Sequence, residues 1–148
     1  MPIRNQIEAI VQTLTSNPSF VYGTVNELNT LADDITFPTV FLYPPQLINL
    51  SPQINGSVDN TFAITLEFLY KTDFDQYTAD NETYVNQALH MANEFIAKAA
   101  KYREGDGRYF KIKAGDRAKC TPVYNKFDAN TTGVSLIITL ATMYFDKY

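Results

Sequence analysis

The sequence predicts an α+β fold: an antiparallel or mixed sheet of about five to six strands, with an N-terminal helix and one long Ala-rich helix packed on it, plus a projecting hairpin. Three observations lead there. Residues 61–71 alternate apolar and polar with a period of two. Residues 78–102 carry an apolar stripe at helical spacing. The elements run helix, strand, hairpin, strand, long helix, three strands, which lacks the regular alternation of a parallel βαβ fold.

Residues 3–15 read as a helix. Ile3, Ile7, Ile10, Val11 and Leu14 form one stripe, and Asn17-Pro18 stops it because the residue before proline avoids the helical region. Residues 19–36 stay open. Phe20-Val21-Tyr22 suits a short strand, and Val25, Leu28 and Leu31 suit a short helix. Thr36 to Tyr43 is a strand, rich in β-branched and aromatic residues and closed by Pro44-Pro45. Pro38 points to an edge or a strand start.

Gln46 to Asn60 is a polar excursion holding Asn55-Gly56, the dipeptide of a type I′ hairpin turn. Leu47, Ile48, Leu50, Ile54 and Val58 give its arms apolar content, so it reads as a hairpin. From Thr61 to Lys71, Phe62, Ile64, Leu66, Phe68 and Tyr70 share one face, and the other is mostly polar except at Leu69. Thr78 or Asp80 caps the long helix that follows, whose stripe is Val85, Ala88, Leu89, Ala92, Phe95, Ile96 and Ala99. Three strands complete the chain: Arg108–Lys113, Ala118–Phe127 with Pro122 marking an edge or bulge, and Gly133–Phe145. The last is apolar on both faces, as a central strand covered on both sides would be.

The chain has 148 residues, which suits a single domain spanning 1–148. Apolar residues make up 45% and charged residues 19%, which excludes a disordered chain and a coiled coil. Cys120 is the only cysteine, so no internal disulfide can form. No apolar run approaches a membrane span, and the first residues lack a signal pattern, so the expectation is a chain made in the cytosol with no membrane partner. On that reading the Asn-x-Ser/Thr triplets at Asn49, Asn55, Asn81 and Asn130 are accidental.

No catalytic constellation emerges. Cys120 and His90 are the sole thiol and imidazole; they read as a small strand residue and a solvated histidine. Zinc would need more Cys and His. Asp73-x-Asp75 and Asp33-Asp34 lack the remaining ligands of a calcium loop. Glu67 reads as a polar-face strand residue, and Gly105-x-Gly107 lacks the Lys and the helix of a phosphate loop. The expectation is a protein that is not an enzyme, with no catalytic residue, metal or cofactor.

Charge placement is more informative than the net charge of −4. Residues 98–126 hold nine bases (Lys98, Lys101, Arg103, Arg108, Lys111, Lys113, Arg117, Lys119 and Lys126) and three acids, a net +6. The rest holds three bases against thirteen acids, a net −10. A subunit of this kind suits head-to-tail association into a ring. A transient contact with DNA phosphates, with Tyr109 interleaved, is the lesser reading, because most of the surface would repel DNA.

An amphipathic first helix, a Phe-Pro-x-Val strand (Phe37-Pro38-Thr39-Val40), a hairpin at Asn55-Gly56, an alternating strand, an Ala-rich helix and a closing stretch Asp128–Leu136 resemble the tail terminator, or tail-completion, proteins of tailed bacteriophages. The resemblance covers most of the chain in element order. It implies a virion component of the tail or neck, made in the bacterial cytoplasm. Such a protein forms a ring, commonly of six subunits, on the head-proximal end of the tail tube. Its partners would be itself, the tail tube protein and the head-side connector. On this reading the candidate interface is the hairpin, through Gln46, Leu47, Ile48, Ile54, Asn55 and Gly56, and the basic segment, through Arg103, Arg108, Tyr109, Lys111, Lys113, Arg117 and Lys119. Two alternatives stand beside it: a small ligand-binding domain or enzyme with an aromatic pocket, and a head–tail adaptor or DNA-contacting neck protein.

Overall fold

The computed structural model describes residues 2–31, 34–72, 78–103, 110–112, 118–127 and 130–145. Their elements are α1 (Ile3–Val11), β1 (Ser19–Tyr22), α2 (Val25–Thr30), β2 (Thr39–Leu42), β3 (Gln46–Pro52), β4 (Ser57–Lys71), α3 (Thr78–Lys101), β5 (Phe110–Ile112), β6 (Lys119–Lys126) and β7 (Thr131–Phe145). This is α+β with one mixed sheet. Among the described strands β1–β2 is parallel, and the other strand pairs are antiparallel.

The spine is the β4–β7 ladder, paired from Ser57↔Phe145 to Lys71↔Thr131. Fifteen residues per strand give a ladder of about 50 Å. β2 and β3 share the outer side of β4, each on one half of it, and β6 and β5 do the same on β7. The sheet therefore reads β1-β2-β4-β7-β6 at one end and β3-β4-β7-β5 at the other. The count is seven strands among the described residues, above the five to six expected. The short strand at 19–22 adds one, and the hairpin arms belong to the main sheet.

Alternation decides the faces. Phe62, Ile64, Leu66 and Phe68 lie opposite Leu140, Ile138, Leu136 and Val134, and these rows pack under α3 and α1 with Phe95, Met91, Ile7 and Ile10. The long helix starts at Thr78, so Asp80 lies in its first turn, where an acid suits the helix dipole, and the position before Thr78 lies outside the described residues. Its stripe needs one exchange: Leu89 is exposed and Met91 is buried in its place.

The face behind the sheet differs from expectation. A second cluster of Leu28, Phe41 and Leu69 sits there, joined by Val21, Ile35, Phe37, Tyr43 and Phe127. Leu69 breaks the alternation of β4 because it belongs to this cluster. β7 is central, as expected, but its back face is covered only in part: Ala141 is buried, while Ile137 is exposed.

The first helix stops at Val11, four residues short of expectation. The Thr13 hydroxyl donates to the Ile10 carbonyl at 2.6 Å, and the Thr15 amide donates to Glu94 Oε1 at 2.6 Å instead of continuing the helical ladder. The strand expected at 36–43 narrows to Thr39–Leu42, with Pro38 just before its start. Thr24 caps α2 through a reciprocal pair with Glu27, whose carboxylate accepts from the Thr24 amide.

The hairpin turn is not type I′. That turn needs two left-handed residues, and here only Gly56 has positive φ (84°). The turn spans Gln53–Gly56, closed by Gly56 N–H to the Gln53 carbonyl at 3.1 Å. The Asn55 side chain accepts from the Ser57 amide at 3.0 Å, a local bond that Asn favours in turns.

Candidate functional site

The hairpin residues come together at the β3-β4-β7-β5 end of the sheet. α3, about 36 Å long, is shorter than the ladder and reaches β5 at this end. β3 pairs with β4 alone, so its other edge is open among the described residues. Leu47, Ile48 and Leu50 are 55–58% exposed, and Ile54 at the tip is fully exposed. A register shift between Leu47 and Asn49 makes Ile48 the bulged residue. Gln46, Asn55 and Gly56 are exposed as well.

The basic stretch does not form one patch. Lys98 and Lys101 lie in the last turn of α3, with Arg103 just beyond. Lys111 lies on β5 at the hairpin end, where it lines a shallow cleft of about 370 Å³ with Gln53, Ile54, Asn55, Ser57 and Met143. The structure thus joins two regions far apart in sequence, the hairpin tip and β5. Lys119 and Lys126 run the other way along β6, opposite Ile137 and Thr131. Lys98 is drawn into the fold by the Thr13 carbonyl and by Glu94 at 3.9 Å. Arg103 donates to the Tyr102 carbonyl at 3.0 Å. Arg108, Tyr109, Lys113 and Arg117, named as interface residues from the sequence, lie outside the described residues.

Four strands, β1, β3, β5 and β6, pair on one side only among the described residues, and the two longest of them, β3 and β6, are built differently. β6 carries Lys119, Lys126 and Pro122, which discourage edge pairing. β3, with the sequence Gln-Leu-Ile-Asn-Leu-Ser-Pro, has no charge along it and a proline only at its end. A chain meant to remain alone would rarely leave such an edge bare.

Sequence reasoning missed Glu67. It is not a solvated strand residue: it is 1% exposed, on the back face of β4. Lys126 Nζ donates to its Oε1 at 2.8 Å, and the same cation lies 4.9 Å from the Phe127 ring centre. Oε2 is buried, and the Tyr43 phenol lies beside the carboxylate. Phe41 packs edge-on against Tyr43 at 4.8 Å and against Phe127 at 6.3 Å, between centroids. Burial, then the Glu67 charge beside it and a hydrogen bond to that carboxylate, push the Tyr43 phenol far up, so it stays protonated and donates to Glu67. The signal available in the sequence was Leu69, whose apolar side chain marks that face as partly covered.

Neither His90 nor Cys120 finds a catalytic partner among the described residues. His90 lines an open cleft with Ser16, Tyr70, Thr83, Asn86 and Gln87. Cys120 is an exposed free thiol on β6, pushed up by desolvation, the opposite of nucleophile activation. No three His, Cys, Asp or Glu side chains gather to hold a metal among the described residues. No helix among them is long and apolar enough to cross a membrane. No protein-family model matches the chain, and no curated protein matches it.

Proposed function

We propose that this chain is a structural assembly subunit that closes into a homo-oligomeric ring, of the kind that terminates a phage tail tube and meets the head-side connector. The observation that carries the reading is the bare apolar edge of β3. Leu47, Ile48 and Leu50 along an open strand, with Ile54 at its tip, form a surface that is an aggregation hazard unless a partner covers it. An edge on one side of a subunit and a different edge on the other make contacts heterologous, and heterologous contacts close into rings when the rotation permits. The +6 and −10 division of the sequence does not gather into one described patch, so the reading rests on the edge and not on charge. Element order, including the Phe37-Pro38-Thr39-Val40 strand and the hairpin, adds the resemblance that names the tube, the connector and the virion as the setting.

A double variant tests the reading. Leu47→Lys with Leu50→Lys places two charges on the open edge. The folded subunit should lose at most about 0.5 kcal/mol, because both side chains are exposed. Self-association and the arrest of growing tail tubes should both be lost. A wild-type protein that leaves tube growth unchecked, or a variant that assembles as well as wild type, would overturn the proposal.

A further inference from the structure

The hairpin tip holds the chain's one Asn-Gly step, Asn55-Gly56, and its surroundings carry chemistry that the assembly reading does not use. An asparagine can close on its own backbone when the next amide nitrogen reaches its side-chain carbonyl carbon, Cγ. A side chain on the next residue crowds that approach, and glycine removes it. The space around Gly56 is open: a Cβ there would meet nothing within 4 Å. Two donors already point at the Asn55 side-chain oxygen Oδ1, the Ser57 amide at 3.0 Å and the Ser57 hydroxyl at 2.6 Å. This oxygen gains negative charge as a nitrogen adds to Cγ, so the two donors act as a small oxyanion hole. Nδ2, the nitrogen that must leave, has no hydrogen-bond partner among the described residues. The Gly56 N–H is held by the Gln53 carbonyl at 3.1 Å, and at an exposed tip such a bond opens at little cost.

We propose that Asn55 is a self-modifying site, at which the chain converts its own side-chain amide to a carboxylate, with Ser57 holding the charge that develops on Oδ1. Hydroxide removes the Gly56 amide proton, and the nitrogen adds to Asn55 Cγ. The Cγ–Nδ2 bond then breaks, and Nδ2 leaves as ammonia with a proton from water, which closes a succinimide ring. Water opens that ring at one of two carbonyls. Opening at Cγ gives aspartate, and opening at the backbone carbonyl gives isoaspartate, in which the chain runs through the side chain. One water is consumed and one ammonia released, with no oxidant or reductant. Either product places a carboxylate in a turn, Gln53 to Ser57, that otherwise carries no charge. The reaction belongs to the single subunit and does not depend on ring closure.

The test holds purified wild type, Ser57→Ala and Gly56→Ala in mildly alkaline buffer, with circular dichroism as the check on folding. Peptide mapping by mass spectrometry follows every asparagine and separates the aspartate and isoaspartate products. Wild type should convert Asn55 ahead of every other asparagine, and faster as pH rises. Gly56→Ala should suppress the conversion. Folded Ser57→Ala should slow it about three- to tenfold, the worth of one neutral hydrogen bond. A Ser57 that only stiffened the turn would act in the opposite direction, since its loss would free the Gly56 amide and speed conversion. If Ser57→Ala does not fold, wild type against Gly56→Ala decides: conversion in wild type that is suppressed in Gly56→Ala supports the site. Asn55 left intact or overtaken by another asparagine in wild type, equal conversion in Gly56→Ala, or equal or faster conversion in folded Ser57→Ala would overturn it.

Discussion

Gly133 shows how one residue sets the spine of the sheet. A Cβ at this position would meet the Phe68 carbonyl oxygen at 1.8 Å and the Phe68 carbonyl carbon at 2.9 Å. Both belong to the backbone of β4, so no side chain can turn aside. Gly133→Ala should therefore cost about 1–3 kcal/mol in denaturant unfolding, by forcing the β4–β7 ladder apart. Glu67 and Lys126 make the second residue-scale case. Lys126→Met leaves a buried carboxylate without its counter-charge and should cost about 1–3 kcal/mol, less than a fully buried pair because Lys126 is partly solvated. Glu94 makes the third. The Thr15 hydroxyl and amide hold its carboxyl below the ordinary value of 4.5, with Lys98 adding less. A folded-state value below the unfolded one means that this contact stabilises at neutral pH. The contribution is lost as pH falls below 4.5 and through the depressed value. Thr15→Ala should reduce the acid-limb slope of stability in a pH series of unfolding curves.

At the scale of elements, α2 depends on its cap. Six residues make too short a helix to stand without capping and tertiary packing. Thr24→Ala removes one half of the reciprocal pair and should cost about 1 kcal/mol in unfolding free energy. Regular elements were legible from the sequence to the degree that they followed one rule. β4 alternates apart from Leu69, β7 is a long run apolar on both faces, and α3 repeats its stripe, so all three are readable within a few residues. Two elements were obscured by competing bonds. The end of α1 depends on Thr15 reaching Glu94, a contact 79 residues away in sequence. The hairpin turn depends on Asn55 accepting from Ser57 rather than adopting the left-handed shape that Asn-Gly favours. The apolar content of residues 46–54 was plain, and so the open edge was half visible. That this edge is the bare one, and the β6 edge the defended one, required the strand order. The Glu67 cleft was not legible, because its neighbours Tyr43 and Lys126 lie far away in sequence.

The whole molecule is a two-ended sheet. One end holds α1 and α2, and α3 runs along one face of the sheet from there to β5 over the main cluster of buried side chains. The other end, with β3 and β5 at its borders, carries exposed apolar residues and Lys111 beside the hairpin tip. The helix that bridges them begins with Asp80 and ends with Lys98 and Lys101, so its charges follow its dipole. On the proposed reading, such a subunit buries its bare end against a copy of itself. If complementary charge steers that encounter, the association rate should fall as salt is raised, with the apolar contact keeping formed rings together. Stopped-flow light scattering across a salt series measures this directly. The central claim, that the subunit closes on itself, is tested most directly by the native mass of the purified protein together with negative-stain imaging. The account predicts closed rings of one defined mass, with six subunits as the number that the family resemblance implies. A monomer at the highest concentration attainable, or open filaments without closure, would contradict it.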